Sequence, residues 1–282
     1  MKEEDKHQKD PEKDLEKKSS EVEEAKKYSE ILSSIFNEGE RIYKIKKRAM
    51  FLSACKAGRE IGFSYILICT LYFLMDGSFS ESVIYRMFGA SYPLGFILVV
   101  LGKSTLFTEQ TSVLALPVLN FQRTILELLL IWGMVILGNI FGGIVFVLSI
   151  GSLASYLRIF DQTIMVELGI HVINESYWVL LSSGIFGGLL MGLLTWLLTS
   201  TTNTLIRIII TTIVTGTIGF VGFHHSIVGN IEASGAFLYS DAISITVCLS
   251  FLLLTLLGNG IGGAIVVGLF KYRIFASNYS SD

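Results

Sequence analysis

Charge is scarce in this 282-residue chain once its first 30 residues are set aside. Those 30 hold 19 of the 46 Asp, Glu, Lys and Arg residues, and the remaining 252 share the other 27. Long stretches almost free of charge exclude an ordinary soluble domain. The net charge of −2 is not the footprint of a nucleic-acid partner. Cysteine is nearly absent: Cys55, Cys69 and Cys248 lie far apart with no CxxC spacing, so they read as reduced packing residues. Proline is limited to Pro11, Pro93 and Pro117, which excludes the paired Asn-Pro-Ala breaks of aquaporins. There is no H-E-x-x-H, G-x-S-x-G or P-loop string, so no enzyme is expected. His224, His225 and Glu232 could be imagined as metal ligands, but no fourth partner stands near them in sequence; no metal and no other cofactor is expected.

Apolar runs are what the chain has instead. A helix needs about 20 mostly apolar residues to cross a bilayer. Six stretches qualify: 57–76, 87–106, 125–150, 177–200, 204–223 and 241–270. Alternation of the β-barrel kind is absent, so the spans are read as helices and the fold as an all-α polytopic membrane protein. Two apolar pieces, 110–119 and 226–239, are too short to span alone and follow directly on the second and fifth stretches. Residues 1–30, with Pro11 and mixed charges, read as a disordered cytoplasmic arm rather than a signal peptide. Residues 31–50 carry Ile31, Leu32, Ile35, Phe36, Ile42 and Ile45 at helical spacing among Lys and Arg, which predicts an amphipathic helix at the membrane surface. A six-helix membrane domain is expected over 51–273, followed by a tail at 274–282. Arg41, Lys44, Lys46, Lys47, Arg48, Lys56, Arg59, Arg123, Arg207, Lys271 and Arg273 fall on one side of the predicted topology, and only Arg86 and Arg158 on the other. Both termini are therefore expected in the cytoplasm.

A duplication organises the spans. Leu137-Gly138-Asn139-Ile140-Phe141-Gly142-Gly143 returns as Leu257-Gly258-Asn259-Gly260-Ile261-Gly262-Gly263, with 5 identities in 7 at an offset of 120. At the same offset Leu101–Phe107 aligns with Val221–Ile227, and in both places an apolar helix runs into a polar interruption and resumes. Units of three spans are related by inversion, because an odd number flips the second unit. The expected fold is six transmembrane helices in two inverted three-helix repeats, with helices 2 and 5 broken. The glycines read as close helix packing. Asn139 and Asn259 need partners at membrane depth, and either cross-link helices or line a pore. Irregular backbone at this depth is tolerated only inside protein or along a wet cavity, so the two breaks point to a solute site near the midplane. Half-helix N-termini there favour an anion.

Few ionisable residues fall within the spans, and each needs a partner or water. His225 is either a neutral side chain held by hydrogen bonds to the neighbouring break or a pathway residue that donates to a passing anion. His224 reads as a support for it. Lys103 and Glu109 could pair with each other, and Glu109 or Glu232 with Arg123 or Arg207. Alternatively Lys103 is a fixed cation that concentrates anions and lowers the pKa of a weak acid beside it.

Leu106-Phe107-Thr108 before the first polar run resembles the loop signature of the formate/nitrite transporter family. Phe223-His224-His225-Ser226-Ile227 resembles that family's helix-5 histidine signature, and the two Leu-Gly-Asn elements its helices 3 and 6. The resemblance covers roughly residues 45–275, and the fuller strings are most similar to a bacterial branch distinct from the formate and nitrite members. It implies an aquaporin-like protomer with its own pore, a homopentamer in the inner membrane, and small monovalent weak-acid anions such as formate, nitrite or hydrosulfide as solutes. By motif, His225 would be the central pore histidine and Thr108 its hydrogen-bond partner. Leu106 and Phe107 would help form an apolar constriction. Two positions depart from the family pattern. Gly229, followed by Asn230, stands where Asn is usual, and no lysine occurs between Lys103 and Lys271, although anion-transporting members carry one near the start of helix 4. His171 lies near that place and Lys103 could supply the attraction from another. A neutral-solute pore and a non-transporting membrane scaffold or sensor remain as alternative readings.

Overall fold

A computed structural model describes residues 28–270 and 272–273. The arm expected at 1–30 lies outside these residues save for 28–30, as does the tail at 274–282. The first helix, α1, covers 28–43 and is followed by α2 (Lys47–Met75), α3 (Glu81–Ser91), α4 (Pro93–Gly102), α5 (Phe107–Leu119) and α6 (Ile125–Leu157). The second half holds α7 (Gln162–Ile173), α8 (Tyr177–Thr199), α9 (Thr204–Val221), α10 (Ser226–Tyr239) and α11 (Ile245–Gly260), which runs on into a π-helical stretch Ile261–Leu269. Among the described residues six segments are long and apolar enough to cross a membrane: α2, α3 with α4, α6, α8, α9, and Ile245–Ile265.

The halves correspond element by element. The short helices α1 and α7 precede the first spans α2 and α8. The broken spans follow, α3–α4 with α5 against α9 with α10, and then α6 and α11. Inside each half the first span lies against the last, α2 on α6 and α8 on α11. The Leu-Gly-Asn elements allow this approach. A methyl at Gly142 would overlap the Cys55 carbonyl, and one at Gly262 would overlap that of Ile185. Small residues let transmembrane backbones come together where apolar burial gives no net gain over lipid. The outward face of α6 leaves Leu126, Leu130, Leu137 and Phe141 exposed, as a surface in lipid or against another copy must.

Helix starts are set by side-chain caps. Thr124 and Glu127 form a reciprocal capping box at α6, and Asp161, Ser176, Asn203 and Ser244 accept backbone N–H bonds at α7, α8, α9 and α11.

Three expectations need correction. The amphipathic segment expected at 31–50 is a helix only over 28–43; after a turn, Lys47 begins a 29-residue first span. Its apolar face rests on protein: Leu32, Ile35 and Ile42 are buried, Gly39 abuts the Val113 carbonyl and Pro117 of α5, and Tyr43 donates to the Leu114 carbonyl at 3.0 Å. The basic residues before 57 do not stop the span, because Lys56 caps the Gly102 carbonyl at 3.0 Å and pairs with Glu60 at 3.3 Å. Helix α7 was not anticipated. Its charges suggested a loop, yet Ile164, Met165, Leu168 and Ile173 form a buried stripe packed on α10. The register at the breaks also shifts by one. The left-handed caps are Lys103 (φ 51°) and Gly222 (φ 83°), so the breaks correspond at an offset of 119 while Asn139 and Asn259 stay at 120. The start of α1 and Tyr272 lie on one face, where Tyr272 donates to Asn120 Oδ1 at 3.2 Å; this is called the terminal face, and its opposite the distal face.

Candidate functional site

Helix α4 stops at Lys103, whose left-handed conformation turns the chain, and Ser104 N–H closes the end on the Val99 carbonyl at 3.1 Å. The next residues would leave peptide groups unpaired at membrane depth. Asn139 of α6 answers them. Its Oδ1 accepts from Phe107 N–H at 2.9 Å, and its Nδ2 donates to the Thr105 and Ala54 carbonyls, both at 2.9 Å. Thr105 N–H finds Ser53 Oγ of α2 at 3.1 Å.

The second break is built the same way. Asn259 Oδ1 accepts from Ser226 N–H at 2.8 Å, and its Nδ2 donates to the carbonyls of His224 at 3.0 Å and Gly184 at 2.7 Å. His224 N–H finds Ser183 Oγ of α8 at 2.9 Å. Both asparagines are fully buried and three-fold bonded, so of the two roles open to them they cross-link the helices, and no donor remains for a solute.

Between the breaks the half-helices α5 and α10 begin facing each other. Leu106 is the N-cap residue of α5 and His225 that of α10. His225 Nε2 lies 2.7 Å from Thr108 Oγ1, which joins the two halves. The proton positions follow from the neighbours. His225 Nδ1 accepts from Val228 N–H at 3.3 Å, so in neutral imidazole the proton sits on Nε2 and is donated to Thr108. The Thr108 hydroxyl hydrogen is then free to point elsewhere. Phe96 meets the ring edge-on at a centroid distance of 5.0 Å, and Leu106 and Phe107 at the start of α5 are buried, Phe107 against Trp132. Leu106 supplies no side-chain cap, so beyond the Phe107 N–H taken by Asn139 the next N–H groups of α5 keep their electropositive character.

This pairing of two inverted breaks is the arrangement implied by the signature resemblance, and the profile of the formate/nitrite transporter family matches residues 29–273. The chain belongs to the formate/nitrite transporter family. A curated relative is the inner membrane protein YfdC of Escherichia coli (strain K12), 26% identical over 262 residues, which cover 89% of this chain and 80% of that one. A solved structure titled an FNT family ion channel superposes with a TM-score of 0.77 at 23% identity, over 87% of this chain and 99% of its own. A second, a pentameric formate channel with formate bound, gives 0.67 at 23% identity over 81% and 97%. The family is that of the formate/nitrite transporters, and the fold is the aquaporin-like one of these solved structures.

Not every residue singled out in the sequence of this family member converges on the throat. His224 is bound on both nitrogens. Nε2 reaches the Val172 carbonyl at 3.3 Å, which makes Nε2 the donor and leaves Nδ1 to accept from Ser183 Oγ at 2.8 Å. It holds the loop, and also borders a cavity of about 140 Å³ that opens from His225 toward the distal face. Lys103 is exposed and pairs with no described residue. Neither Glu109 nor Glu232 forms an ion pair among the described residues, which corrects the pairings considered from sequence. Arg123 is engaged by Glu40 at 2.7 Å and Glu127 at 3.3 Å on the terminal face, and Arg207 reaches the Leu198 carbonyl at 3.4 Å. Sequence reasoning missed Ser53 and Ser183. Their signal was present: Ser53 and Gly58 of α2 recur as Ser183 and Gly188 of α8, at an offset of 130.

Proposed function

We propose that the protein is a channel or proton-coupled transporter for small monovalent weak acids of the formate, nitrite or hydrosulfide kind, and carries out no catalysis. The observation that carries this reading is the 2.7 Å contact of His225 with Thr108 where the two electropositive half-helix ends meet. The partial positive charge of those ends draws an anion, while Phe96 on the imidazole and the buried Leu106 and Phe107 at the start of α5 strip water from it. A bare ion in such a throat is costly, whereas the neutral acid is not. Thr108, fixed as acceptor toward His225, offers its hydroxyl hydrogen to the solute. Glu109 on the terminal side of the throat, and Lys103 at the end of α4, are the residues from which an approaching acid would gain or lose charge.

The proposed assembly is a homopentamer, with one pore in each protomer, in the inner membrane. Support comes from the names of the relatives and from the exposed apolar faces of α6 and α9. Basic residues gather on the terminal face, from Arg41 to Arg59 with Arg123 and Arg207, which favours cytoplasmic termini. Helix α1 is then a docking helix, and 47–273 hold the membrane domain.

The test is uptake of labelled formate, nitrite and hydrosulfide by liposomes holding the full chain, at pH 5.5 and pH 7.5 set as assay conditions. His225→Ala and Thr108→Val should each lower flux by about tenfold or more, the equivalent of one transition-state hydrogen bond of roughly 1.4 kcal/mol. Unchanged flux in both variants would sink the assignment of the throat.

A further inference from the structure

The cavity between His225 and the distal face is not built for an anion. Its walls carry Glu232 and Glu175, the rings of Tyr85, Tyr92 and Phe88, and no lysine or arginine. Glu232 is the decisive member. It is the seventh residue of α10, is only 9% exposed, and its carboxyl group has neither a hydrogen bond nor an ion pair to any described residue, although it lines the cavity. An unpaired carboxylate at this depth is costly to keep without a counterpart. The nearby basic side chains do not supply one. Arg86 is held over the Phe220 ring at 5.9 Å and does not border the cavity. The three histidines of the wall are otherwise engaged, His171 stacked on Tyr85 with ring centroids 3.7 Å apart, His224 bound on both nitrogens, and His225 bound to Thr108 Oγ1 and the Val228 N–H.

A carboxylate set among aromatic faces is complementary to a small organic or inorganic ammonium ion. The rings attract the cation through their quadrupoles, and the carboxylate accepts its N–H bonds. A volume of about 140 Å³ admits ammonium or methylammonium with some water, not a long amine. We propose that this distal chamber is a binding site for small monovalent ammonium-type cations, with Glu232 as its anchoring residue, and that the same pore passes the corresponding weak base. The inference rests on the throat being a passage, as read above, but not on formate being its solute. A passage that rejects ions and admits neutral molecules is indifferent to whether the neutral form comes from an acid or a base. The chamber then decides which charged partner is concentrated at its distal mouth.

The experiment measures uptake of labelled methylammonium and of labelled formate in parallel, into liposomes holding the full chain, with empty liposomes as reference. Wild-type protein should take up methylammonium well above the empty control. Glu232→Gln should lower that uptake by about tenfold at low methylammonium while formate uptake rises, since removal of one negative charge acts on the two ions in opposite directions. Formate uptake without methylammonium uptake overturns the chamber and leaves the weak-acid reading standing. Methylammonium uptake without formate uptake supports the chamber and overturns the weak-acid reading. Absence of both overturns the passage and the chamber together. Methylammonium uptake unchanged in Glu232→Gln removes the role of Glu232. Should that variant lose both solutes, Glu232→Asp decides: restored methylammonium uptake supports the assignment, and its continued loss overturns it.

Discussion

Replacement of either buried asparagine by alanine tests whether the broken helices are held by side-chain amides. Each amide serves three backbone groups, one N–H and two carbonyls. The three are not equal. Ala54 and Gly184 sit inside helices, where the carbonyl keeps its intrahelical partner, so loss of the second bond there costs little. Phe107 N–H with the Thr105 carbonyl, and Ser226 N–H with the His224 carbonyl, belong to the breaks. Two buried groups left unpaired cost about 1–3 kcal/mol each. Interhelical hydrogen bonds in membranes average nearer about 0.6 kcal/mol, because the unfolded chain finds substitutes in the bilayer. Asn139→Ala and Asn259→Ala should therefore each lose between about 1 and about 6 kcal/mol, and by equal amounts, since the two clamps are built alike. Denaturant unfolding of the full chain in lipid nanodiscs gives the stability, and solute flux reports whether the throat survives. The double variant should lose less than the sum, because both clamps hold opposite ends of one His225–Thr108 contact. A loss below about 1 kcal/mol in both would mean that the breaks are held by something else. A large loss in one and none in the other would refute the equivalence of the two halves.

Two further perturbations follow from the terminal face and the helix contacts. Glu40 accepts from Arg123 Nε at 2.9 Å and Nη2 at 2.7 Å, and that hydrogen bond holds its carboxyl below the ordinary carboxylate range. A group with a lowered folded pKa contributes stability above its unfolded value and loses it as pH falls through the folded one. Protection of the 28–43 amides, taken relative to the intrinsic exchange rate at each pH, should thus fall as pH drops below the usual carboxylate range, and Arg123→Ala should show the low protection already at neutral pH. Equal exchange in the two proteins at neutral pH would count against the tether. Gly142→Leu places a side chain against the Cys55 carbonyl and should abolish folding, whereas Gly133→Leu, with open space around it, should be tolerated in purified yield and gel-filtration profile. Similar behaviour of the two variants would contradict the close packing of α2 on α6.

The sequence made the spans visible because apolar composition alone decides what can sit in lipid, and it made the breaks visible because polar residues inside such a run need a reason. The first span begins ten residues before its apolar run, where Lys47, Arg48 and Lys56 look like the edge of a membrane. What composition cannot show is that Lys56 finds a helix end, the Gly102 carbonyl, and so remains inside the span. Helix α7 stayed hidden for a related reason. Asp161, Glu167 and Glu175 give it a polar reading, while its buried stripe has meaning only opposite α10. Glu167 is tied down by the Tyr72 hydroxyl, a contact 95 residues apart that no local pattern discloses. The alignment of the halves at one constant offset also failed at the breaks. A loop of fixed function tolerates a one-residue change in the helix that follows it, and the left-handed caps, not the letters, mark equivalent positions.

Once those caps are matched, the division between scaffold and site becomes a division between what the halves share and what they do not. Asn139 and Asn259 are the same residue with the same three bonds, and Ser53 and Ser183 accept the same loop N–H. Gly142 and Gly262 stand against equivalent carbonyls. Symmetry ends at the throat. The position filled by Leu106 in one half is His225 in the other, Thr105 corresponds to His224, and Thr108 to Ile227. Each half alone would present either an apolar cap or an imidazole with no partner. Only their meeting sets the His225 Nε2–H on the Thr108 oxygen, and an uncapped half-helix end beside it. A duplicated scaffold with an unduplicated contact also accounts for the different exteriors of the two breaks, an exposed Lys103 at one and the Glu232 chamber beyond the other. A passage with unlike mouths can treat the two members of an acid–base pair differently from its two sides.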